Sequence, residues 1–369
     1  MINLPRVCDF HVHLRQDLRT MILTISALKG YTSTILAMLN VGSPHIQTIA
    51  QLDEYAKLIE KACMYTGMSP KFEVYLCPKI YQDWANPTTP EFIRQCAEWR
   101  FEGKYVKRVL AFKAYPSGGT TNSDGAITDF HSAHFSEIMS ALSEHGLVLS
   151  IHSEMMGVDP FPAEAIFFEK VAPSLVVYAQ RPKMVFEHLS TAKGVQFVRK
   201  SPENVMGTIT PQHLIFTYDM VKDSNGRIVD PHKLCMPIAK TDEDRKELLA
   251  AVHHENFFYG SDTAPHPLES KLGDKPKCGV FSAYLMPYVF GHLLDCYREE
   301  YACAEEVEMF LCRRGRWFYG LPPSAPKRRL RIIPHTGAPS DSVLECDELQ
   351  VGLPNLQGFD FKAVLEEEI

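Results

Sequence analysis

No run in this chain of 369 residues approaches the roughly 18 to 20 consecutive apolar residues that a bilayer span requires. The ten cysteines include no Cys-x-x-Cys pair, which argues against a disulfide framework or a thiolate zinc site and favours reduced, cytosolic thiols. An excess of positive charge is also missing. With 38 Lys and Arg against 45 Asp and Glu, a net charge of −7 gives no reason to expect nucleic acid or an anionic membrane as partner. The one basic run, Lys327-Arg328-Arg329-Leu330-Arg331, reads as a solvated strand edge or turn. The opening Met1-Ile2-Asn3-Leu4-Pro5-Arg6 has no basic stretch leading into an apolar one, so no secretory signal is expected and a cytoplasmic location is. There is no internal repeat and no linker that splits the chain. What remains is an ordinary globular composition, 45% hydrophobic and 22% charged, long enough for one large core.

Short β-rich apolar runs at 7–11, 34–39, 72–77, 109–114, 147–151, 184–187, 205–209 and 257–260 alternate with helix-like stretches such as 46–65, 91–102, 131–145 and 241–254. Such alternation predicts βαβ units on a parallel sheet, and eight units predict a closed α/β barrel of the (β/α)8 TIM type. The barrel domain is expected over 1–326, ending at Leu321-Pro322-Pro323-Ser324-Ala325-Pro326. Residues 327–369, rich in Pro, Gly and acidic residues, are expected to pack on it as an extension with a few short strands and no assigned role.

The most informative motif is His11-Val12-His13. Residues i and i+2 of a strand share a face, so a strand end here presents two imidazoles side by side, and imidazole is the commonest metal ligand at neutral pH. Other candidates follow apolar runs: Lys113 in strand four, His152 at the end of strand five, His188 at the end of strand six and Asp262 at the end of strand eight. C-terminal strand ends converge on the active face of a barrel, so these distant residues meet at one cavity. Four imidazoles and a carboxylate suit two zinc ions with open positions. An ammonium beside two dications would be repelled. A buried lysine shifts readily to its neutral amine, which can add carbon dioxide to form a carbamate able to bridge two metals.

Together with Asp9 to Arg15, Lys113-Ala114-Tyr115-Pro116 through Thr120-Thr121-Asn122-Ser123, Phe186-Glu187-His188, Thr210-Pro211-Gln212-His213-Leu214 and Gly260-Ser261-Asp262-Thr263-Ala264-Pro265-His266-Pro267, this pattern resembles the amidohydrolase superfamily and, within it, the short monofunctional dihydroorotases. The likeness runs from about residue 7 to Leu321. It implies reversible cyclisation of N-carbamoyl-L-aspartate to L-dihydroorotate in de novo pyrimidine biosynthesis. By similarity, His11, His13, Lys113 and Asp262 hold one zinc, while His152, His188 and N6-carboxylated Lys113 hold the other, with a bridging hydroxide. Cobalt and manganese are alternatives to zinc. Asp262 is implied as the catalytic proton carrier. Arg15, Asn40 and His266 are implied to bind the substrate carboxylate, Thr120 and Thr121 to form a lid, and the backbone near Met236 and Cys278 to touch the ring. A homodimer is the family-level expectation. Asn40 lies in Met38-Leu39-Asn40-Val41, where Met-Pro-Asn is the expected form, and Ser153 replaces a usual glycine before Glu154. Two other readings stay open: another cyclic-amide hydrolase of hydantoinase or allantoinase type, and a non-catalytic barrel scaffold.

Overall fold

The computed structural model describes residues 2–82, 85–178, 181–286, 288–289, 293, 302–323, 328–334, 343–346, 349–353 and 361–365. A short β1 (Ile2–Leu4) precedes the barrel strands β2 (Val7–Val12), β3 (Thr32–Leu39), β4 (Glu73–Pro78), β5 (Val106–Val109), β6 (Ala111–Ala114), β7 (Val148–His152), β8 (Met184–Glu187), β9 (Val205–Ile209) and β10 (Phe257–Tyr259). Strands β2 to β5 form one parallel arc and β6 to β10 another. Two seams close them. At the first, Lys79 pairs with Lys113 and the Ile80 N–H donates to the Lys113 carbonyl at 2.8 Å. At the second, Val12 pairs with Thr263 and the Asp262 N–H donates to the His11 carbonyl at 2.8 Å. The fold is a (β/α)8 barrel. The run expected as one strand over 109–114 is in fact two pieces, β5 and β6, interrupted at Leu110, whose N–H donates to Leu76 instead.

The strands fall within a few residues of their expected positions because they are buried on both faces and so read as continuous apolar runs. The helices start where a side chain caps them. Thr48, Thr89, Ser132 and Thr241 each accept an N–H from the first turn, which moves the start of the expected 46–65 helix to α2 (Ile49–Tyr65). The expected 91–102 helix ends as α3 (Pro90–Glu98), since Trp99 turns to an extended conformation.

The core has two layers. One lies between strands and helices and includes Ile35, Val74, Leu76, Leu149 and Ile209. The other fills the barrel where its strands begin, with Cys8, Phe10, Leu36, Tyr75, Val148, Val185, Met206 and Phe258, and is closed from outside by Phe318, Tyr319 and Leu321. Phe10 stacks on Tyr319 at 4.9 Å and meets Phe258 edge-on at 5.6 Å. Each such ring contributes about 2 kcal/mol by burial. Gly315 is required there, because a Cβ would stand 2.4 Å from the Phe10 ring. Strict alternation would send Phe10 and His11 to opposite faces. A register shift between Asp9 and Val12 lets Phe10 fill the floor while His11 serves the site above it.

In the extension, β11 (Arg328–Pro334) pairs with β1 and with β14 (Phe361–Leu365), and β12 (Val343–Cys346) forms a hairpin with β13 (Leu349–Gly352). The basic run falls in β11, except Lys327, which lies outside the described residues. Among the described residues, no helix is long and apolar enough to cross a membrane.

Candidate active site

The strand ends bring His11, His13, Lys113, His152, His188 and Asp262 to one place. His11 and His13 lie 5.3 Å apart between ring centroids, His11 and His188 5.2 Å, and His152 and His188 4.7 Å. Asp262 Oδ1 is 3.3 Å from His11 Nε2 and 3.1 Å from His13 Nε2, and the three side chains can converge on one cation. His188 and Asp262 have φ of 44° and 49°, a left-handed conformation that is uncommon outside glycine and recurs at functional sites. Gly260, just before this turn, admits His11: a Cβ there would lie 2.9 Å from the His11 Cβ.

Two carboxylates aim the imidazoles. Glu187 accepts from Ser150 and Thr208 hydroxyls at 2.5 Å each and stands 2.8 Å from His11 Nδ1, which leaves Nε2 toward Asp262. Glu154 lies 2.6 Å from His152 Nε2, which leaves Nδ1 for the site. A carboxylate behind a histidine fixes its tautomer and raises its basicity as a ligand. Burial pushes His13 down to about 4 and His188 well below the usual imidazole range, so both are neutral, as ligation requires. Burial would raise Asp262, but the hydrogen bond from His13 and the charges of His11, His13 and Lys113 outweigh it and hold the carboxyl near about 2. Lys113 is fully buried, and burial lowers it to about 8. Its Nζ, like His11 Nε2 and His188 Nδ1, has no hydrogen-bond partner among the described residues. Buried polar atoms without partners are costly, and a donor set of imidazoles and a carboxylate around them fits a divalent metal of the zinc type.

On the substrate side, a chamber of about 20 Å³ is walled by His13, Arg15, Asn40, Tyr115, Thr120, Thr121, His152, His188, Met236, Asp262 and Cys278. It opens toward an outer cleft of about 700 Å³ that shares Arg15 and Thr121 with it and is bordered by His266, Lys277, Leu349 and Gln350. Arg15 donates to the Pro265 carbonyl at 3.3 Å and lies 3.1 Å from His266 Nε2, which places its guanidinium at the doorway. The same Nε2 lies 2.9 Å from the Cys278 carbonyl, so it either accepts from Arg15 or donates to Cys278, and His266 lines the cleft rather than the chamber. Asn40 donates from its Nδ2 to the Thr121 carbonyl at 2.7 Å, while its Oδ1 has no hydrogen-bond partner among the described residues. The ring-side loops meet at Lys271, whose Nζ donates to the Gly279 carbonyl at 2.8 Å, Lys277 at 2.9 Å and Leu234 at 3.3 Å. Sequence alone assigns no role to Glu187, Glu154, Lys79 or Lys271. Glu187 and Glu154 sit one or two residues from a candidate ligand histidine, the linear signal they carry.

At the C-terminal mouth of this (β/α)8 barrel, two paired histidines, a buried lysine, two further strand-end histidines and an aspartate form a donor set suited to metal ions. No protein-family model matches the chain. The chain is 34% identical over 328 residues to the Schizosaccharomyces pombe protein named "Probable dihydroorotase", covering 87% of each, and 31% identical over 328 residues to the dihydroorotase of Shewanella amazonensis, covering 88% of each. The fold matches the crystal structure of Saccharomyces cerevisiae dihydroorotase in complex with 5-fluoroorotic acid with a TM-score of 0.78 at 24% identity, over 99% of this chain and 98% of that one. The chain belongs to the dihydroorotase family, hydrolases that act on a cyclic amide.

Proposed function

We propose that the chain interconverts N-carbamoyl-L-aspartate and L-dihydroorotate, making or breaking the cyclic amide with release or uptake of one water, in pyrimidine biosynthesis. The observation that carries this reading is a metal-type donor set and Arg15 facing one chamber, which matches a substrate with both a scissile amide and a carboxylate. His11, His13 and Asp262 would hold one zinc ion and His152 and His188 a second, with Lys113 as its N6-carboxylate between them. When bound, the cations supply Lewis acidity at the ring carbonyl and bring the pKa of a water from 15.7 toward about 7. Asp262, held ionised, accepts the proton of the attacking water and delivers it to the departing ring nitrogen. Arg15 grips the substrate carboxylate with its planar fork, and Asn40 and His266 assist. Backbone near Met236 and Cys278 borders the ring.

A chamber of about 20 Å³ has room for little more than a water, so substrate enters only when one wall moves. Thr120 and Thr121 form that wall, following Gly118 with φ of 78° and Gly119, and we assign this loop as the lid. The reading includes a homodimer in the cytoplasm and a barrel domain over 1–326 with the 327–369 extension attached to it. Light scattering of the purified protein tests the dimer.

The deciding experiment follows loss of L-dihydroorotate by ultraviolet absorbance with zinc-loaded protein, with hydantoin and allantoin in parallel. Turnover of dihydroorotate alone supports the proposal. Turnover of another cyclic amide without dihydroorotate keeps the metal site and removes the roles given to Arg15, Asn40 and the threonine loop, and silence on all three favours a scaffold.

A further inference from the structure

Lys79 follows the end of β4, is 1% exposed, and is used by nothing in the reaction described above. Its Nζ donates to the carbonyl of Asn122 at 2.7 Å and of Asp124 at 3.2 Å, and it sits over the Tyr81 ring at 4.3 Å. Among the described residues this ammonium donates to no carboxylate, although the charge of Asp124 acts on it. Two of its contacts are backbone of the loop that walls the chamber. Asn40, at the end of the neighbouring strand, holds the Thr121 carbonyl, and the Asn122 side chain returns a hydrogen bond to the Asn40 carbonyl at 3.3 Å. Three carbonyls of residues 121–124 are thus captured by two side chains. Asn122 is bent into φ of 58° to present one of them. On the other side of the loop, a Cβ on Gly118 would meet nothing within 4 Å, while the neighbouring Ser117 N–H donates to the Ile127 carbonyl at 2.9 Å and Gly119 lies against Met156. The side-chain anchors of the loop are therefore concentrated at 121–124.

Carbonyls are good partners for a latch. They satisfy an ammonium as water does, so each bond can be exchanged for hydration when the loop lifts, whereas an ion pair buried at the same place would resist opening. We propose that Lys79 is a positioning residue of the reaction, latching the Thr120–Thr121 loop in its closed place through the Asn122 and Asp124 carbonyls. This rests on the assignment of that loop as the lid.

The test is Lys79→Met, which keeps the side-chain length and removes the donors, read by steady-state kinetics, metal content and hydrogen exchange of the 117–124 amides with and without saturating dihydroorotate. The expected result is a KM for dihydroorotate raised about tenfold with kcat nearly unchanged, full metal content, and exchange of 117–124 that substrate no longer slows. A general packing defect would instead lower kcat and metal content together. Wild-type protein whose loop is protected by substrate, beside a Lys79→Met protein with the same KM and the same protection, overturns the assignment of Lys79 alone. A wild-type loop whose exchange ignores substrate, in protein that turns substrate over, overturns the lid and the latch together. If Lys79→Met does not fold, Lys79→Gln decides: a KM above the wild-type value with weaker substrate protection of 117–124 supports the latch, and wild-type KM and protection overturn it.

Discussion

Lys79 and Lys113 pair across one seam of the barrel, both are buried, and burial lowers both to about 8. Their surroundings nevertheless send them to opposite chemistries. Lys79 finds two backbone carbonyl acceptors, which favour a retained ammonium. Both lysines face an aromatic ring, Tyr81 at 4.3 Å and Tyr115 at 5.2 Å, and the charges of Glu187 and Asp262 act on Lys113, yet Lys113 finds no hydrogen-bond partner among the described residues, which on the reading proposed above leaves its amine open to conversion to an anion that metals can use. Burial alone does not assign a lysine its role. What decides is whether the protein supplies acceptors for the ammonium.

The comparison breaks if Lys113→Met and Lys79→Met behave alike. Lys113→Met is expected to lower turnover by about a thousandfold or more, and metal analysis of the folded protein should find the dinuclear content lost. Lys79→Met should keep its metals. Arg15→Met comes next, with kcat/KM for dihydroorotate lower by about a hundredfold and metals retained, because a charged bidentate contact is removed and His266 loses its neighbour. An unchanged kcat/KM would remove Arg15 from substrate binding. Gly260→Ala pushes on the His11 Cβ and should weaken metal retention about tenfold in a chelator titration, without touching either lysine. The smallest effect sharpens the same contrast among the histidines. His213 has both nitrogens engaged, Nδ1 with the Thr210 hydroxyl at 2.8 Å and Nε2 with the Pro237 carbonyl at 2.9 Å, unlike His188. Burial lowers His213 to about 4, below the ordinary value of 6.5, so the unfolded chain takes up a proton that the folded protein refuses. Stability is therefore lost as pH falls from 6.5 toward 4. Between pH 7.5 and 5.5 this group should remove roughly 1 kcal/mol, seen as a urea midpoint that falls less in His213→Gln than in the wild-type protein.

Much of this arrangement was legible in the chain. Barrel strands are buried on both sides, so Thr34 to Leu39 or Val205 to Ile209 announce themselves as apolar runs, and strand-end His and Asp stand out against them. The break at Leu110 was not legible, since its cause is a hydrogen bond to Leu76, a residue distant in sequence. Nor were the roles of Glu187, Glu154 and Lys79. Glu187 matters because Ser150 and Thr208 arrive from the two neighbouring strands, and Lys79 matters because carbonyls more than 40 residues away close on it. The strand at 328–334 reads from sequence only as a strand edge or turn within an extension, because one of its partners, β1, lies at the other end of the chain and the other, β14, near the C-terminus.

Phe318, Tyr319 and Leu321 stopper the end of the barrel where the strands begin, packed on Phe10 and Phe258. With the bottom closed, and on the reading proposed above, the open-chain acid and the cyclic amide share the doorway at Arg15 and the threonine loop. Traffic is single-file. Neither can enter until the other has left, and each is therefore expected to be a competitive inhibitor of the other's conversion, with the occupancy of one doorway governing flux in both directions.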